Sequence, residues 1–542
     1  MRNTFLLLIL TMALSCKESK EQEVQTSDFK AIESKDIADF KVLDSKFITN
    51  KEIWEALENE LLDFTEAKYN TMKSLVLEKD ISTLQQYVAK GKLTYEALVK
   101  FYLFRIRKFD RENEMSLNSV ISINPKVVAE ARACDAKLKN TGYRHPIFGM
   151  PVLLKDNINT EGMPTTAGAV ALKENMAKDA FIVERLKVNG ALILGKTNLS
   201  EWAYFFCGEC PSGYSAIGGQ TLNPYGRRTM DTGGSSSGSG VAVSANFCTV
   251  AVGTETAGSI LSPASQNSVV GLKPTIGLLS RSGIVPISGT LDTAGPMTKT
   301  VRDNIILMDA LFGYDDNDEK SIDTQLSNGY YFKNSYEGNL KERRLGAFKS
   351  LKEDTLYVNA LEELRKEGAT IVEIEDLETE LPDFIKLLNL DMKKDLPAYL
   401  KNHAGALVQV KSVQDVITFN KTDSLNVMPY GQALFGGIVE DESTEEKLES
   451  IKKTLKENGK QFFDAPMEEY DLDGVLSINN YHAAYAAVAE YPAITIPMGY
   501  TGEGEPKGLT IISKPLSERM LLEMAIQYEQ ASKKRIPPAN YQ

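Results

Sequence analysis

Gly233-Gly-Ser235-Ser-Ser-Gly238-Ser-Gly240-Val-Ala-Val-Ser-Ala245-Asn-Phe-Cys-Thr-Val-Ala-Val-Gly253-Thr-Glu-Thr-Ala-Gly-Ser259 is the stretch on which the reading of this chain turns. Its glycine- and serine-rich start lacks the lysine of a phosphate-binding loop and the spacing of a dinucleotide fingerprint. So dense a Gly/Ser run can also be flexible linker. The flanks argue against that: Val241–Ala245 reads as a small-residue helix and Thr249–Gly253 as a strand, and a linker would not sit between packed elements. Ser259 follows two small residues and precedes the β-branched Ile260. That setting suits an exposed nucleophile whose neighbouring backbone N–H groups stay open.

Outward from this stretch, short β-rich runs alternate with helices. Ser119–Ile123, Met150–Lys155 and Ala191–Gly195 read as strands, with a helix over Asp179–Asn189 that Gly190 ends. The alternation predicts an α/β layered domain. On the N-terminal side, Ile53, Trp54, Leu57, Leu61, Phe64 and Tyr69 recur mostly at three- and four-residue steps, the pattern of one amphipathic helix or two. Asp80 opens another helix. Thr94 is placed to cap a third, with Ala97 where a capping box has Glu. Towards the C-terminus the chain turns charged and helical from 315 to 470. Helices are expected over Leu361–Glu367 and Ser443–Lys460, and a strand over Ala369–Glu373. A buried strand at Pro492–Pro497 and a final helix over Ser517–Lys533 complete the reading.

Several separated anchors together resemble the amidase-signature family. They are the Gly/Ser block with Ser259 beyond it, Val270-Gly-Leu-Lys-Pro-Thr275, Ser288-Gly-Thr-Leu-Asp-Thr-Ala-Gly-Pro296, Asn198-Leu-Ser-Glu-Trp-Ala203 and Pro492-Ala-Ile-Thr-Ile-Pro497. The resemblance runs from about 80 to 538. It implies one large domain with a mixed, twisted β-sheet covered by helices on both faces. It also implies a Ser–cis-Ser–Lys triad, with Ser259 as nucleophile, Ser235 as bridging serine after a cis peptide bond, and Lys155 of Leu153-Leu-Lys-Asp156 as base. The same resemblance assigns an oxyanion hole to the backbone N–H groups of Thr256, Ala257, Gly258 and Ser259.

The chemistry is coherent on its own terms. A serine hydroxyl is a weak nucleophile until a base takes its proton. His145, His403 and His482 all fall outside any nucleophile motif. A lysine can serve if it is neutral, which needs desolvation or nearby positive charge. Lys155 ends an apolar strand. Ser236, Ser237 and Ser239 read as turn and cap hydroxyls, and Lys173, Lys196 and Lys273 as surface or structural amines. Two positions depart from the family: Leu261 stands where many members carry Arg, and Ala257 where Gly is common.

Among subgroups, Leu278-Leu-Ser-Arg-Ser-Gly-Ile-Val-Pro-Ile287 and the motifs around Asn198 and Ser259 look most like bacterial peptide amidases, which release ammonia from C-terminal carboxamides. Other readings are the glutaminase-like component of a tRNA-dependent amidotransferase, an amidase of small or lipid amides, and a lipoprotein that has lost catalysis and only binds. No cofactor and no metal site is expected, and the partner is a small-molecule or peptide amide substrate.

The net charge of −13 and the lack of a basic stripe argue against nucleic acid. At the N-terminus, Met1-Arg2-Asn3 precedes a mostly apolar run, Phe5–Leu14, too short to span a bilayer of about 30 Å. Ala13-Leu14-Ser15-Cys16 resembles a bacterial lipoprotein signal, although the usual leucine three places before the cysteine is Ala13. The expected organisation is a signal peptide over 1–15 and a lipidated Cys16 with flexible tether over 16–48. An N-terminal helical segment over 49–80 then leads into the main domain, 81–540, with 315–470 as its variable helical part. The protein is accordingly expected to be exported, in the periplasm or cell envelope, touching membrane only through Cys16. Cys207-Gly-Glu-Cys210 has no second C-x-x-C partner for a zinc site, so a structural or incidental role is favoured over redox chemistry, with a local disulfide left open.

Overall fold

A computed structural model describes residues 40–111, 114–138, 144–327, 329–334 and 337–542. The apolar leader and Cys16 lie outside the described residues.

The apolar runs read from the sequence become neighbouring strands of one sheet. In chain order the strands are β1 (Val120–Ile123), β2 (Pro151–Lys155), β3 (Leu192–Thr197), β4 (Tyr214–Ser215), β5 (Gly219–Gln220), β6 (Val250–Glu255), β7 (Val270–Lys273), β8 (Thr293–Thr298), β9 (Arg344–Phe348), β10 (Thr370–Ile374), β11 (Gly474–Ile478), β12 (Ala493–Tyr500) and β13 (Pro506–Ile512). Eleven of them form a mixed sheet in the order β1-β3-β2-β6-β8-β7-β12-β13-β11-β9-β10, and β4 and β5 make a separate two-stranded hairpin. The architecture is α/β, as the alternation predicts.

β2 lies between β3 and β6, parallel to both. Helices cover the sheet, so all five β2 residues are buried, which is why the strand reads as a continuous apolar run. The small-residue helix Ser237–Ser244 packs on β6, where its lack of bulk allows close approach. Gly238 shows how close: a Cβ there would stand 2.5 Å from the carbonyl oxygens of Asn198 and Ser119. The final helix, Glu518–Ser532, packs on β12.

Thr94 caps its helix as read, accepting from the Ala97 N–H at 3.1 Å. The helical periodicity before Leu77 resolves into short pieces, Asn50–Trp54 and Glu58–Leu61 with a 3-10 turn between them, and the longer helix Glu66–Val76. Thr444 caps the long helix Glu445–Glu469, which runs past the expected end at Lys460. Within 315–470 the chain is less purely helical than its charge suggests. β9 and β10 pair in parallel and extend the sheet beyond β11. β9 was not legible because Arg344 opens a run of only five residues interrupted by Gly346.

Part of the stretch expected as flexible tether, 40–48, packs against the domain, and 16–39 lie outside the described residues. From Phe40 the chain is laid against the domain by Leu43, whose carbonyl accepts from Gln220 N–H at 2.8 Å, and by an antiparallel bridge from Asp44 to Gly219. Partly buried Phe40, Leu43 and Ile48 pack on the core and explain the docking. Among the described residues no helix is long and apolar enough to cross a membrane.

Candidate active site

Two strand ends and one tight turn carry the sequence-picked residues: Lys155 and Ser235 share a hydrogen bond, while the Ser259 hydroxyl, in the adjoining turn, makes none among the described residues. Lys155 is the last residue of β2 and has no exposed surface. Its Nζ donates to Ser235 Oγ at 2.8 Å, to Thr254 Oγ1 at 2.8 Å and to the Thr254 carbonyl at 3.1 Å. Thr254 belongs to β6, the strand beside β2, so the sheet itself sets this distance. Asn157 Nδ2 donates to the same Thr254 hydroxyl at 3.0 Å. Among the described residues no carboxylate touches the amine. Burial pushes Lys155 down from its ordinary value to about 7, against the opposing pull of Asp292 and Glu255. With such a value the amine is uncharged in about half the molecules at neutral pH.

The Gly/Ser block wraps around this amine. The Gly234–Ser235 peptide bond is cis. Gly233 has φ +62°, and a Cβ there would stand 2.7 Å from the backbone of Pro263, so only glycine fits. Ser235 is fully buried, and its carbonyl accepts from Ser200 N–H at 3.1 Å. Ser236 N–H donates to the Ser259 carbonyl at 3.2 Å, fastening the Ser235 segment to the turn that carries Ser259. The other serines hold backbone carbonyls rather than capping the helix: Ser236 is its N-cap residue but makes no side-chain capping bond. Ser236 Oγ donates to the Thr254 carbonyl, Ser237 Oγ to the Gly233 carbonyl and Ser239 Oγ to the Val252 carbonyl.

Ser259 sits half-buried at the end of the turn that follows β6. Gly258 holds φ +95° there, a left-handed conformation that glycine adopts without cost. Among the described residues the N–H groups of Ala257, Gly258 and Ser259 donate to no protein acceptor. The next two are taken: Glu255 Oε2 accepts from Ile260 N–H at 2.7 Å and Leu261 N–H at 3.0 Å. This buried carboxylate pins the start of the following helix, and the three preceding N–H groups are left without a protein acceptor among the described residues. Thr256, the fourth predicted member, directs its hydroxyl to Asp292. Burial raises the Asp292 carboxyl, while Thr256 and the Ser288 and Ile287 N–H groups oppose the rise. Beside these residues lies a cavity of about 240 Å³, counting space open to solvent, with Asn157, Thr254, Thr256 and Asp292 on one wall and Val285 and Ile287 among the others.

The sequence reading did not single out Thr254, Asn157, Glu255 or Asp292. Thr254 and Glu255 stand inside the quoted stretch, and their signal was polar residues within an otherwise apolar strand. Leu261 is fully buried in an apolar cluster with Phe348 and Ala493, so a side chain that packs occupies the place where many family members carry a cation. Lys196 and Lys273 are both fully buried, structural rather than surface amines. Cys207 and Cys210 form a disulfide.

The Amidase family profile matches residues 97–473. A protein of Arabidopsis thaliana named a probable amidase is 38% identical over 479 residues, covering 85% of this chain and 92% of that protein. The solved structure of native peptide amidase from Stenotrophomonas maltophilia is 37% identical with a TM-score of 0.80, covering 85% of this chain and 98% of that one. A glutamyl-tRNA(Gln) amidotransferase component from Microcystis aeruginosa is 31% identical, over 83% of this chain and 96% of that protein.

Proposed function

The chain belongs to the amidase family and is an amide-hydrolysing enzyme, and from that premise we propose that it cleaves C-terminal carboxamides of peptides through an acyl-enzyme on Ser259. The observation that carries the mechanism is the fully buried Lys155 amine, brought to about 7 and held 2.8 Å from Ser235. As a neutral amine its lone pair takes the Ser235 proton while Ser235 Oγ takes the proton of Ser259. Ser259 Oγ then bonds to the amide carbon. The N–H groups of Thr256, Ala257, Gly258 and Ser259 receive the oxyanion, and removing one such donor typically costs about 2.7–4 kcal/mol of barrier. Collapse breaks the C–N bond, and the proton returns through Ser235 to the leaving nitrogen, giving ammonia. Water attacks the ester through the same relay run again, releasing the carboxylate and restoring Ser259.

Two observations support peptide amides as the substrate class. One is the likeness to the S. maltophilia peptide amidase. The other is Leu261, which offers no cation to a free carboxylate, so an uncharged CONH₂ is the better fit. The amidotransferase reading keeps the same triad but has no use for an export leader. In our reading residues 1–15 are that leader, and the protein is held at a membrane by acylated Cys16. Cys16→Ser should then move the protein from the membrane fraction to the soluble one. The main test is ammonia release from a panel of peptide amides, free peptides and fatty-acid amides, with Ser259→Ala as control. Release from peptide amides that vanishes in the control supports the proposal. Turnover of fatty-acid amides alone, or release that survives in Ser259→Ala, rejects it.

A further inference from the structure

The nucleophile turn has a neighbour from far along the chain. Between β11 and the helix Ala483–Val488, a short loop carries Asn480 against Gly258. A Cβ built at Gly258 would stand 3.1 Å from Asn480 Nδ2, 3.3 Å from Asn480 Cβ and 3.5 Å from Ala483 Cβ. The Asn480 carboxamide therefore lies on the face of the glycine next to the attacking serine.

The loop is held rigidly enough to aim that group. Asn479 adopts φ +48°; its N–H donates to the Gly508 carbonyl at 2.9 Å and its Oδ1 accepts from Gly508 N–H at 2.8 Å. His482 lies 2.7 Å from Ser477 Oγ through Nδ1 and stacks on Phe348 with centroids 4.4 Å apart. Asp376 faces the other ring nitrogen at 3.7 Å. Asn480 itself accepts Ala483 N–H at its backbone carbonyl. Its side-chain amide, half-buried, makes no hydrogen bond among the described residues. The two adjacent asparagines thus differ: one is spent on the fold, and the other presents two donors and an acceptor beside the reacting centre.

A pre-oriented, unspent carboxamide matches another amide, since its Nδ2 can donate to a carbonyl while its Oδ1 accepts an N–H. We propose that Asn480 is a substrate-binding residue that hydrogen-bonds a backbone amide in the acyl portion of the substrate, and so selects peptide-type amides over amides whose acyl chain carries no second amide group. The inference rests on the peptide-amide reading above and gives it a residue. A side chain that loses such a partner discriminates strongly, because a polar group brought into the closed site without a mate is penalised.

Two probes isolate the interaction. N-acetyl-phenylalaninamide carries the second amide; 3-phenylpropanamide has the same ring and the same carboxamide without it. Asn480→Ala should lower kcat/KM for the acetylated probe by about 10- to 100-fold, mainly through KM, and change the other by less than about twofold. Asn480→Asp, nearly isosteric, keeps the loop packed but removes the donor, and should show the same selective loss. An equal fall on both probes assigns Asn480 to the turn's structure and overturns the proposal, as does no fall on either. If the wild-type enzyme cleaves the plain amide as well as the acetylated one, the peptide-amide reading itself fails and Asn480 with it. Good wild-type cleavage of the acetylated probe, combined with a loss in Asn480→Ala that is equal on both probes, removes only this inference.

Discussion

Lys155 and Lys196 stand near the ends of two adjacent parallel strands, in register one place apart, and neither has exposed surface. Their surroundings differ in one respect. Lys196 Nζ lies 3.0 Å from Asp156 Oδ1 and donates to Thr165 Oγ1 at 2.9 Å. Among the described residues Lys155 meets only hydroxyls and a carbonyl. Burial lowers both, but at Lys196 a contacting carboxylate works against it, whereas at Lys155 the opposing carboxylates, Asp292 and Glu255, are bonded elsewhere. Burial alone therefore does not make a base. In the proposed mechanism it is burial without a carboxylate in contact, next to a hydroxyl able to pass a proton, that does.

The largest effect should come from removing the base. Lys155→Met keeps the apolar stem in its buried slot but takes away the proton acceptor, so kcat should fall by about 10³- to 10⁴-fold with the folded structure retained. Circular dichroism and steady-state ammonia release measure both halves. A variant within tenfold of wild type would erase the distinction between the two lysines.

Lys196→Met should behave in the opposite way. It leaves the Asp156 carboxylate buried without its cation, and breaking such a pair typically costs about 3–5 kcal/mol. Denaturant unfolding should show that loss, while the protein that remains folded should still turn over substrate. A silent stability change with abolished turnover would mean the roles are reversed.

A smaller effect tests the charge state directly. The relay needs neutral Lys155, whose folded value is about 7, so kcat/KM should drop as pH falls below about 7 and level off above it. The fall on the acid side follows from protonation of the base, since the protonated amine has no lone pair. A rate independent of pH between about 6 and 8 would show that the amine does not titrate there.

The residues that meet in the Lys155–Ser235 contact were legible because they stand in a dense, unusual run and at the end of an apolar strand. The α/β alternation was legible for a similar reason: β2, β3 and β6 are buried on both faces, so their sequences are nearly unbroken apolar stretches. What escaped was everything set by contact between distant segments. Asp292 reaches Thr256 across 36 residues, and Asn480 approaches Gly258 from 222 residues away, as numbering alone gives. Nothing local in Ser477-Ile-Asn-Asn-Tyr distinguishes the asparagine that holds the loop from the one that faces the turn. Likewise, Lys196 and Lys273 could not be told from surface amines, because their partners are supplied by other segments of the chain.

Lys273 gives the finest test, because it shares with Lys155 the very feature that drew attention in the sequence: it too is the last residue of a buried strand, β7. Burial pushes it down to about 8, and its amine donates to the Tyr491 carbonyl at 2.7 Å. It therefore has the depressed basicity but no hydroxyl in contact. If low basicity were sufficient, Lys273 would matter to turnover; if the hydroxyl chain is required, it would not. Lys273→Met should leave kcat/KM within about threefold of wild type, while orphaning the Tyr491 carbonyl at a cost of about 1–3 kcal/mol in stability. Paired kinetics and unfolding on this one variant decide the matter. A loss of activity approaching that of Lys155→Met, in protein shown to be folded, would mean that a buried amine acts here without a serine to carry its proton.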